Sequence, residues 1–291
     1  MKRTCLFMVL ICIALTSKSQ VDTSTTQKLL QYIFQPLDKS QVPTGFMEEY
    51  GCPMLPMATF NGTLTDSNRM DMNLWRTLYF QLQTGWCRTT SNPLPTIASV
   101  NTTIKSNIND TLPIAIPLIV AQYNTVRTDA FTSNLLSYNS GTKQVSDVPG
   151  RPQNPYDTKN LFAACPQRKQ TITGNETFVI KSGTIWNNTS KTISQVQIDF
   201  ANGQGFQTVT IGTPIGVSYT DTGTKRWTLK VTLNDNSVLQ CYSVFYVLKA
   251  SSGSRYSNSD GTLWEVIAPV ANVHSGAQVY IKYSQKSGQE H

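Results

Sequence analysis

Histidine is scarce in this sequence: it occurs only as His274 and His291 among 291 residues. Any Ser-His-Asp or Cys-His catalytic arrangement would depend on these two residues. The chain also has no C-x-x-C pair, so the cysteine and histidine ligands of an ordinary zinc site are missing. The sequence therefore predicts neither a histidine-dependent active site nor a zinc site.

Sequence motifs of common enzyme families are also missing. There is no G-x-S-x-G of the α/β-hydrolases, no H-E-x-x-H and no phosphate-binding P-loop. Gly203-x-Gly205 matches the start of a dinucleotide fingerprint, but Thr208 stands where the third glycine is needed, and the residues after Gly205 alternate like a strand. We therefore predict no catalytic residue and no cofactor.

Acidic residues form only weak candidates for metal binding. Asp66, Asn68 and Asp71 offer oxygen ligands at short spacing, but the segment lacks the glycine and the distal glutamate of an EF-hand loop. Capping of a helix by Asp66 or Asn68 explains them equally well. The adjacent Glu48 and Glu49 are interpreted as solvated surface residues, because chain neighbours point in different directions. No metal site is predicted.

Charge is low and dispersed. Charged residues make up 14% of the chain, against about a quarter in typical soluble proteins. Of the 24 basic residues, Lys2, Arg3 and Lys18 fall in a predicted leader, which leaves 21 basic and 17 acidic residues. Proteins that bind nucleic acid concentrate positive charge on one face, and these residues are scattered. We expect no nucleic-acid partner.

Long apolar runs are missing except at the N-terminus. Residues 1–20 resemble a signal peptide: Lys2-Arg3 precedes the eleven apolar residues Cys5 to Leu15, and a polar segment follows. A transmembrane helix needs about 20 apolar residues. The sequence predicts export to the periplasm, the cell surface or the medium, and no membrane span.

Four cysteines remain after removal of such a leader. They are Cys52, Cys87, Cys165 and Cys241. An even number in an exported chain is compatible with disulfides, and three pairings exist. We favour Cys52–Cys87, with the other two joined to each other or free. Buried free thiols are the alternative for all four.

Hydrophobic periodicity predicts a mixed N-terminal domain over residues 21–170. Apolar residues at helical spacing indicate helices over 24–37, 69–84 and 96–107. The apolar run 114–120 predicts a buried strand near a sheet edge, interrupted by Pro117. Residues 139–160 are rich in Gly, Pro, Asn and Ser and are interpreted as a loop or linker, followed by a short strand at 161–164. The domain boundary is expected between Pro166 and Gly174.

Residues 171–250 show the two-residue period of β-strands. Trp227, Leu229 and Val231 alternate with polar residues, as do Val196 and Ile198 farther upstream. The second alternating run leads into 202–203, an Asn-Gly pair that predicts a tight turn, and 234–236 predicts another. Several short strands separated by turns indicate an antiparallel sandwich. For 251–291 we predict a linker and a short β tail with strands at 263–267 and 279–283.

Two segments of this region resemble the signatures of the PKD domain, an immunoglobulin-like β-sandwich. Residues 198–203, IDFANG, resemble its W-D-F-G-D-G turn. Val217-x-Tyr219-x-x-x-Gly223 and the alternating strand after it resemble H-x-Y-x-x-x-G-x-Y-x-V-x-L. The departures from the two patterns are Ile198, Ala201, Asn202, Val217, Lys225 and Trp227.

The resemblance implies a structural role for the turn residues. Asp199 is expected to accept backbone N–H bonds in the turn that follows it. The residues expected to shape the turns are Asp199, Asn202, Gly203, Gly205 and Gly223. The whole chain also resembles secreted proteins of Bacteroidota that carry a PKD-like domain, at LDKSQVPTG (37–45), LTDSN (64–68) and VPGRPQNPY (148–156).

The sequence thus predicts an α+β protein: a mixed, helix-containing N-terminal domain followed by a PKD-type antiparallel sandwich. We expect a secreted, non-catalytic protein that acts outside the cell as a binding module or as a spacer, with a polysaccharide or a protein as ligand. Trp186, Tyr219 and Trp264 are candidates for stacking on sugars, although packing in the core explains them better. The alternatives are a structural envelope component and the N-terminal accessory region of a secreted hydrolase whose catalytic domain is missing from this chain.

Overall fold

The computed structural model describes residues 23–107, 113–171 and 174–248, and the short segments 256–257 and 263–264. Within these residues, helices form at α1 (Thr23–Ile33), α2 (Met72–Thr84) and α3 (Ile97–Ser106). Short 3-10 turns form at Lys39–Gln41, Glu48–Tyr50, Met57–Phe60 and Ser182–Thr184. The predicted leader, residues 1–20, lies outside the described residues.

The described strands are, in chain order, β1 (Arg69–Met70), β2 (Ile114–Ala115), β3 (Leu118–Val126), β4 (Leu136–Asn139), β5 (Gln144–Asp147), β6 (Tyr156–Ala164), β7 (Gln170–Thr171), β8 (Asn175–Val179), β9 (Ile185–Asn187), β10 (Ile193–Asp199), β11 (Phe206–Thr208), β12 (Ile215–Ser218), β13 (Gly223–Leu233), β14 (Val238–Val247), β15 (Tyr256–Ser257) and β16 (Leu263–Trp264). Helices and several sheets make the chain an α+β protein.

The helices follow the predicted pattern, with one correction. Helix α2 begins at Met72, because the carboxylate of Asp71 accepts the N–H groups of Asn73 and Leu74 at 2.9 Å. The two residues before this cap form strand β1 instead of a first helical turn. The chain leaves the helix at Gly85, the predicted stop.

The largest sheet has six strands in the order β1-β14-β13-β10-β11, with β7 also paired to β14. The pairs among β10, β11, β13 and β14 are antiparallel, as predicted. Strands β1 and β7 add parallel pairs to β14. Smaller sheets have the orders β12-β8-β2 and β6-β3-β9.

Strands β3 and β6 lie between two hydrophobic cores. Leu118 and Phe162 belong to the core that unites the six-stranded sheet with strands β2, β8 and β12. Their neighbours Ile119 and Leu161 belong to a second core, formed with helices α2 and α3. Because successive side chains of a strand point to opposite sides, β3 and β6 contribute side chains to both cores.

The predicted boundary after residue 170 is crossed by strand pairing. Strand β1 pairs with β14, β2 with β8, and β3 with β9. Residues on both sides of the boundary belong to one compact unit, Met1–Leu248. The division into 21–170 and 171–250 therefore separates segments that pack together.

The predicted loop over 139–160 contains more regular structure than expected. Strands β4 and β5 form an antiparallel hairpin, and β6 starts at Tyr156 and continues through the predicted short strand. The side chain of Asn139 accepts the N–H groups of Gly141 and Thr142, which closes the hairpin turn. Val145 packs in a third core with Phe34, Leu37, Val42 and Met47 of the N-terminal segment, residues 23–50.

A second compact unit comprises Lys249–His291. Its described residues are strands β15 and β16, which pair antiparallel. The predicted strand at 263–267 is described only as far as Trp264, and the one at 279–283 lies outside the described residues. Among the helices that the structure describes, none has the length and apolar character to cross a membrane.

Candidate binding face of the six-stranded sheet

The alternation along β13 divides the six-stranded sheet into a core side and a solvent side. Trp227, Leu229 and Val231 are buried in the core, whereas Arg226 and Lys230 lie on the opposite side. The solvent side of β10, β11, β13 and β14, with Arg69 of β1, is called the outer face here. It consists mainly of hydroxyl, amide, aromatic and basic side chains.

Strand register arranges the outer face in rows across the sheet. One row crosses five strands and consists of Arg69, Tyr242, Thr228, Asp199 and Phe206. The next row consists of Gln240, Lys230, Gln197 and Thr208. The first row thus carries an aromatic ring on either side of a polar centre, and the second row places two amides beside it.

Both aromatic rings of the first row have a basic side chain next to them. The Lys230 Nζ lies 4.2 Å from the ring centroid of Phe206, and the Arg226 Cζ lies 5.6 Å from that of Tyr242. Such contacts hold a ring in position through its quadrupole. Phe206 remains 43% exposed, so its ring is accessible to a ligand. Arg226 also pairs with Asp66, with an Nη1 to Oδ1 distance of 3.4 Å.

The loop between β10 and β11 determines where Phe206 lies. Asp199 Oδ1 accepts the N–H of Ala201 at 2.9 Å, the kind of contact that the sequence analysis expected. Ala201, Gly203 and Gly205 have positive φ angles of 54°, 84° and 66°. The predicted tight turn at Asn202-Gly203 is a longer connection in the structure, running over 200–205 with three left-handed residues.

The remaining turn residues have local roles. Asn202 Oδ1 accepts the N–H of Gln204 at 3.3 Å inside the same loop. Gly223 has φ 117° at the first position of β13, a conformation that side chains disfavour. The structure brings Asp199, Asn202, Gly203 and Gly205 together at the end of β10 and in the loop after it, whereas Gly223 lies apart from them as the first residue of β13.

The four cysteines are buried thiols in the structure. Neither the favoured Cys52–Cys87 pairing nor a Cys165–Cys241 disulfide is formed within the described residues, so this expectation is corrected. Burial raises the pKa of the Cys87 thiol to about 11 and that of Cys241 to about 12. The pKa of Cys165 is also raised by burial. Thiols of this kind are poor nucleophiles at neutral pH.

The aromatic residues that the sequence suggested for sugar stacking lie elsewhere. Trp186 is buried against Trp75 and Tyr79, with ring centroids 5.0 and 5.6 Å away. Tyr219 is buried and accepts a hydrogen bond from Trp227 Nε1 at 3.1 Å. Packing, the preferred explanation, is correct for both, while the side chain of Trp264 lies outside the described residues. Sequence reasoning missed Phe206 and Tyr242, although Tyr242 alternates with buried positions of β14.

The candidate metal ligands do not converge. Asp71 caps helix α2, and Asn68 is buried with its Nδ2 donating to the carbonyl of Thr63 at 2.7 Å. Asp66 is exposed and pairs with Arg226. No group of three or more potential metal ligands occurs among the residues that the structure describes. The segments containing His274 and His291 lie outside them.

The solvated interpretation of Glu48 and Glu49 is wrong for Glu49. Its Oε1 accepts the N–H of Val126 at 2.8 Å, and its Oε2 is out of contact with solvent and has no hydrogen-bond partner among the described residues. Burial raises the pKa of this carboxyl to about 7, and burial also raises the pKa of Glu48. This carboxyl group is separate from the outer face.

The outer face can stack on flat apolar surfaces, form hydrogen bonds through amides and hydroxyls, and attract negative charge. Comparisons with known proteins add no further candidate. No protein-family model and no curated protein matches the chain. The chemistry of this surface is therefore the basis for assigning a function.

Proposed function

We propose that the protein is an exported, non-catalytic binding protein whose outer face binds polysaccharide, and that residues 171–250 form a PKD-like sandwich. Export is supported by the leader-like residues 1–20. The sandwich is supported by one core that receives side chains from both the six-stranded sheet and the β12-β8-β2 sheet. The two PKD-like sequence segments lie in and beside these strands.

The spacing of the Phe206 and Tyr242 rings is the observation that supports a polysaccharide ligand. Phe206 on β11 and Tyr242 on β14 occupy one row and are separated by strands β10 and β13. Neighbouring strands lie about 4.8 Å apart, so the backbones carrying the two rings are about 14 Å apart. A backbone separation of this size suits an extended polymer that runs along the row and contacts both rings. The hydroxyl and amide groups between the rings suit a ligand rich in hydroxyl groups.

The same surface is a poor match for a protein partner. The centres of protein–protein interfaces are apolar and depleted in charge. On the outer face, the two rings of the row are separated by Asp199 and Thr228, and each ring has a basic side chain beside it. No continuous apolar patch connects them in the described part of the sheet. The chemistry therefore favours polysaccharide over protein.

Affinity gel electrophoresis tests this proposal. Native gels containing a neutral polysaccharide (xylan or dextran) or an acidic one (alginate or pectin) are compared with a gel without polymer. We expect the wild-type protein to be retarded in at least one of them. The double variant Phe206→Ala/Tyr242→Ala loses the retardation, because stacking contributes about 1–3 kcal/mol per ring in comparable platforms.

The matched control is Tyr32→Ala, which removes a half-exposed tyrosine from helix α1 and should be retarded like wild type. Circular dichroism verifies that all variants are folded. Equal mobility of wild type in every gel overturns the proposal. Retardation that the double variant retains also overturns it, since the outer face would then not be the site.

A further inference from the structure

Glu49 connects the N-terminal segment to the central strand pair. It lies in the 3-10 turn Glu48–Tyr50, which packs against β3 and against helices α1 and α2. The N–H of Met47 donates to the carbonyl of Gly85 at 2.9 Å, and Met47 forms a bridge with Asn124 of β3. The carboxyl of Glu49 adds the hydrogen bond from Val126, the last residue of β3. This single side chain thus joins the turn to the end of the strand.

The surroundings of this carboxyl group offer no compensating charge. The charged neighbour that influences Glu49 is Glu48, whose negative charge raises the pKa of Glu49 further. On β3 and β6 the facing groups are the phenols of Tyr123 and Tyr156, and the charge of Glu49 raises the pKa of both. Both hydroxyl groups are buried without a hydrogen-bond partner among the described residues.

The remaining ionisable groups nearby act on other residues. The positive charge of Lys159 on β6 lowers the pKa of Glu48, which opposes the larger raising effect of burial. Cys87 faces the phenols of Tyr50 and Tyr156, as shown by its effect on the pKa of each. The Asp147–Arg151 ion pair influences Tyr156. Helices α1 and α2 contribute no charge that shifts the pKa of Glu49.

A carboxyl group in such a site is stable when it is neutral and costly when it is charged. We propose that Glu49 is a pH-responsive latch: its neutral form holds the 48–50 turn on β3, and its ionised form releases the turn. The geometry supports this directly, because Oε2 is buried and has no hydrogen-bond donor in the described part of the chain. The backbone N–H groups of Val126 and of Glu49 itself favour the charged form, but burial has the larger effect. An exported protein meets external pH, so such a latch would couple the packing of the N-terminal segment to its surroundings.

The direction of the effect follows from the raised pKa. The pKa of Glu49 is near 4.5 when the 48–50 turn is released and about 7 when the turn is held on β3. Low pH therefore favours the form in which the turn is held. This preference is complete below pH 4.5 and is lost as pH rises through 7. Between pH 5 and pH 8 the equilibrium constant for opening therefore rises by up to about 70-fold.

Hydrogen exchange measures this opening. Amide exchange of 47–50 and of Val126 is followed by NMR between pH 5 and pH 8, and each rate is divided by the intrinsic exchange rate at that pH. In the wild type, we expect protection at these amides to fall by tens of fold across this range. Glu49→Gln cannot ionise and can still accept the Val126 N–H, so its protection should stay constant. Glu48→Gln, the adjacent control, should keep the loss of protection with rising pH, with a midpoint slightly lower than in wild type because the negative charge of Glu48 is removed.

A second measurement does not depend on variants. The carboxyl carbon of Glu49 in ¹³C-labelled wild type should titrate near pH 7. A midpoint close to 4.5 overturns the proposal, as does a pH dependence that Glu49→Gln retains or that Glu48→Gln abolishes. A titration near pH 7 with unchanged protection also overturns it, because the carboxyl would then ionise without releasing the turn.

Discussion

At the scale of single residues, one hydrogen bond lies inside the aromatic core. Trp227 contacts Phe178 and Phe200, with ring centroids 4.8 and 4.9 Å away, and its Nε1 donates to the hydroxyl of Tyr219 at 3.1 Å. Buried polar groups need partners, and losing one costs more than an average hydrogen bond contributes. Tyr219 is thus more than a space-filling ring.

Replacing Tyr219 with Phe tests this contact. The change removes only the acceptor and leaves the indole N–H of Trp227 buried and unsatisfied. We expect the free energy of unfolding to fall by about 1–3 kcal/mol. Urea titration followed by circular dichroism measures it. Tyr242→Phe removes a hydroxyl from the outer face and should change stability by less than about 0.5 kcal/mol; equal losses in both variants would contradict the interpretation.

At the scale of elements, Asp71 shows how a local signal defines a helix. Its carboxylate satisfies two of the four backbone N–H groups that the first turn of α2 leaves without helical partners. The apolar stripe of α2 then packs Trp75, Leu78 and Leu82 into the helical core. The stripe is readable in the sequence, which is why this helix could be predicted. The cap was expected at Asp66 or Asn68, because several Asp and Asn residues near the start of the helix could fill that role, and the structure places it at Asp71.

Replacing Asp71 with Ala should lower the free energy of unfolding by about 1 kcal/mol, because both N–H groups lose their acceptor. Chemical denaturation of the variant measures this loss. Asp66→Ala is the matched control, since Asp66 is exposed and its ion pair with Arg226 is at the surface. Surface ion pairs contribute little, so its effect should be close to zero. A control as destabilised as Asp71→Ala would argue against capping as the cause.

Strand bounds were most predictable where one face is buried and the other is exposed to solvent. The burial of β13 alternates along its length, so its two-residue period is visible in the sequence. Strand β3 is buried on both sides from Leu118 to Ala121, and β6 has four consecutive exposed residues at 157–160 followed by four buried ones, so neither shows that pattern clearly. The hairpin β4–β5 was not predicted, because the Gly and Asn residues that form its turn are also typical of a loop.

At the scale of the whole molecule, the β3–β6 pair makes the two main cores interdependent. Cys165 lies in the helical core and Cys241 in the core of the six-stranded sheet. We expect both thiols to become reactive at the same urea concentration, because the two cores share this strand pair and unfold together. Pulsed alkylation in urea followed by mass spectrometry reports each cysteine separately. Different midpoints would show that the two cores unfold as separate domains.

The candidate site was the least predictable feature of the chain. Phe206 and Tyr242 are 36 positions apart in sequence numbering and come into one row only through the registers of β10, β11, β13 and β14. The left-handed Ala201 contributes to the loop that positions Phe206, and alanine gives no sequence signal for such a conformation. The burial of the Glu49 carboxyl likewise depends on tertiary packing, which two adjacent glutamates in the sequence do not indicate.

The pairing of β1 with β14 has a consequence for the order of events as the chain is made. Ser243 donates its hydroxyl to the carbonyl of Met70, a contact between residues 173 positions apart. A ribosome adds about 5–20 residues per second, so the N-terminal helices exist for many seconds before this partner is synthesised. Until then, the residues that will meet β14 remain exposed to proteases and chaperones. The slowest step of maturation should therefore be the arrival and docking of β14, with contact order setting its rate.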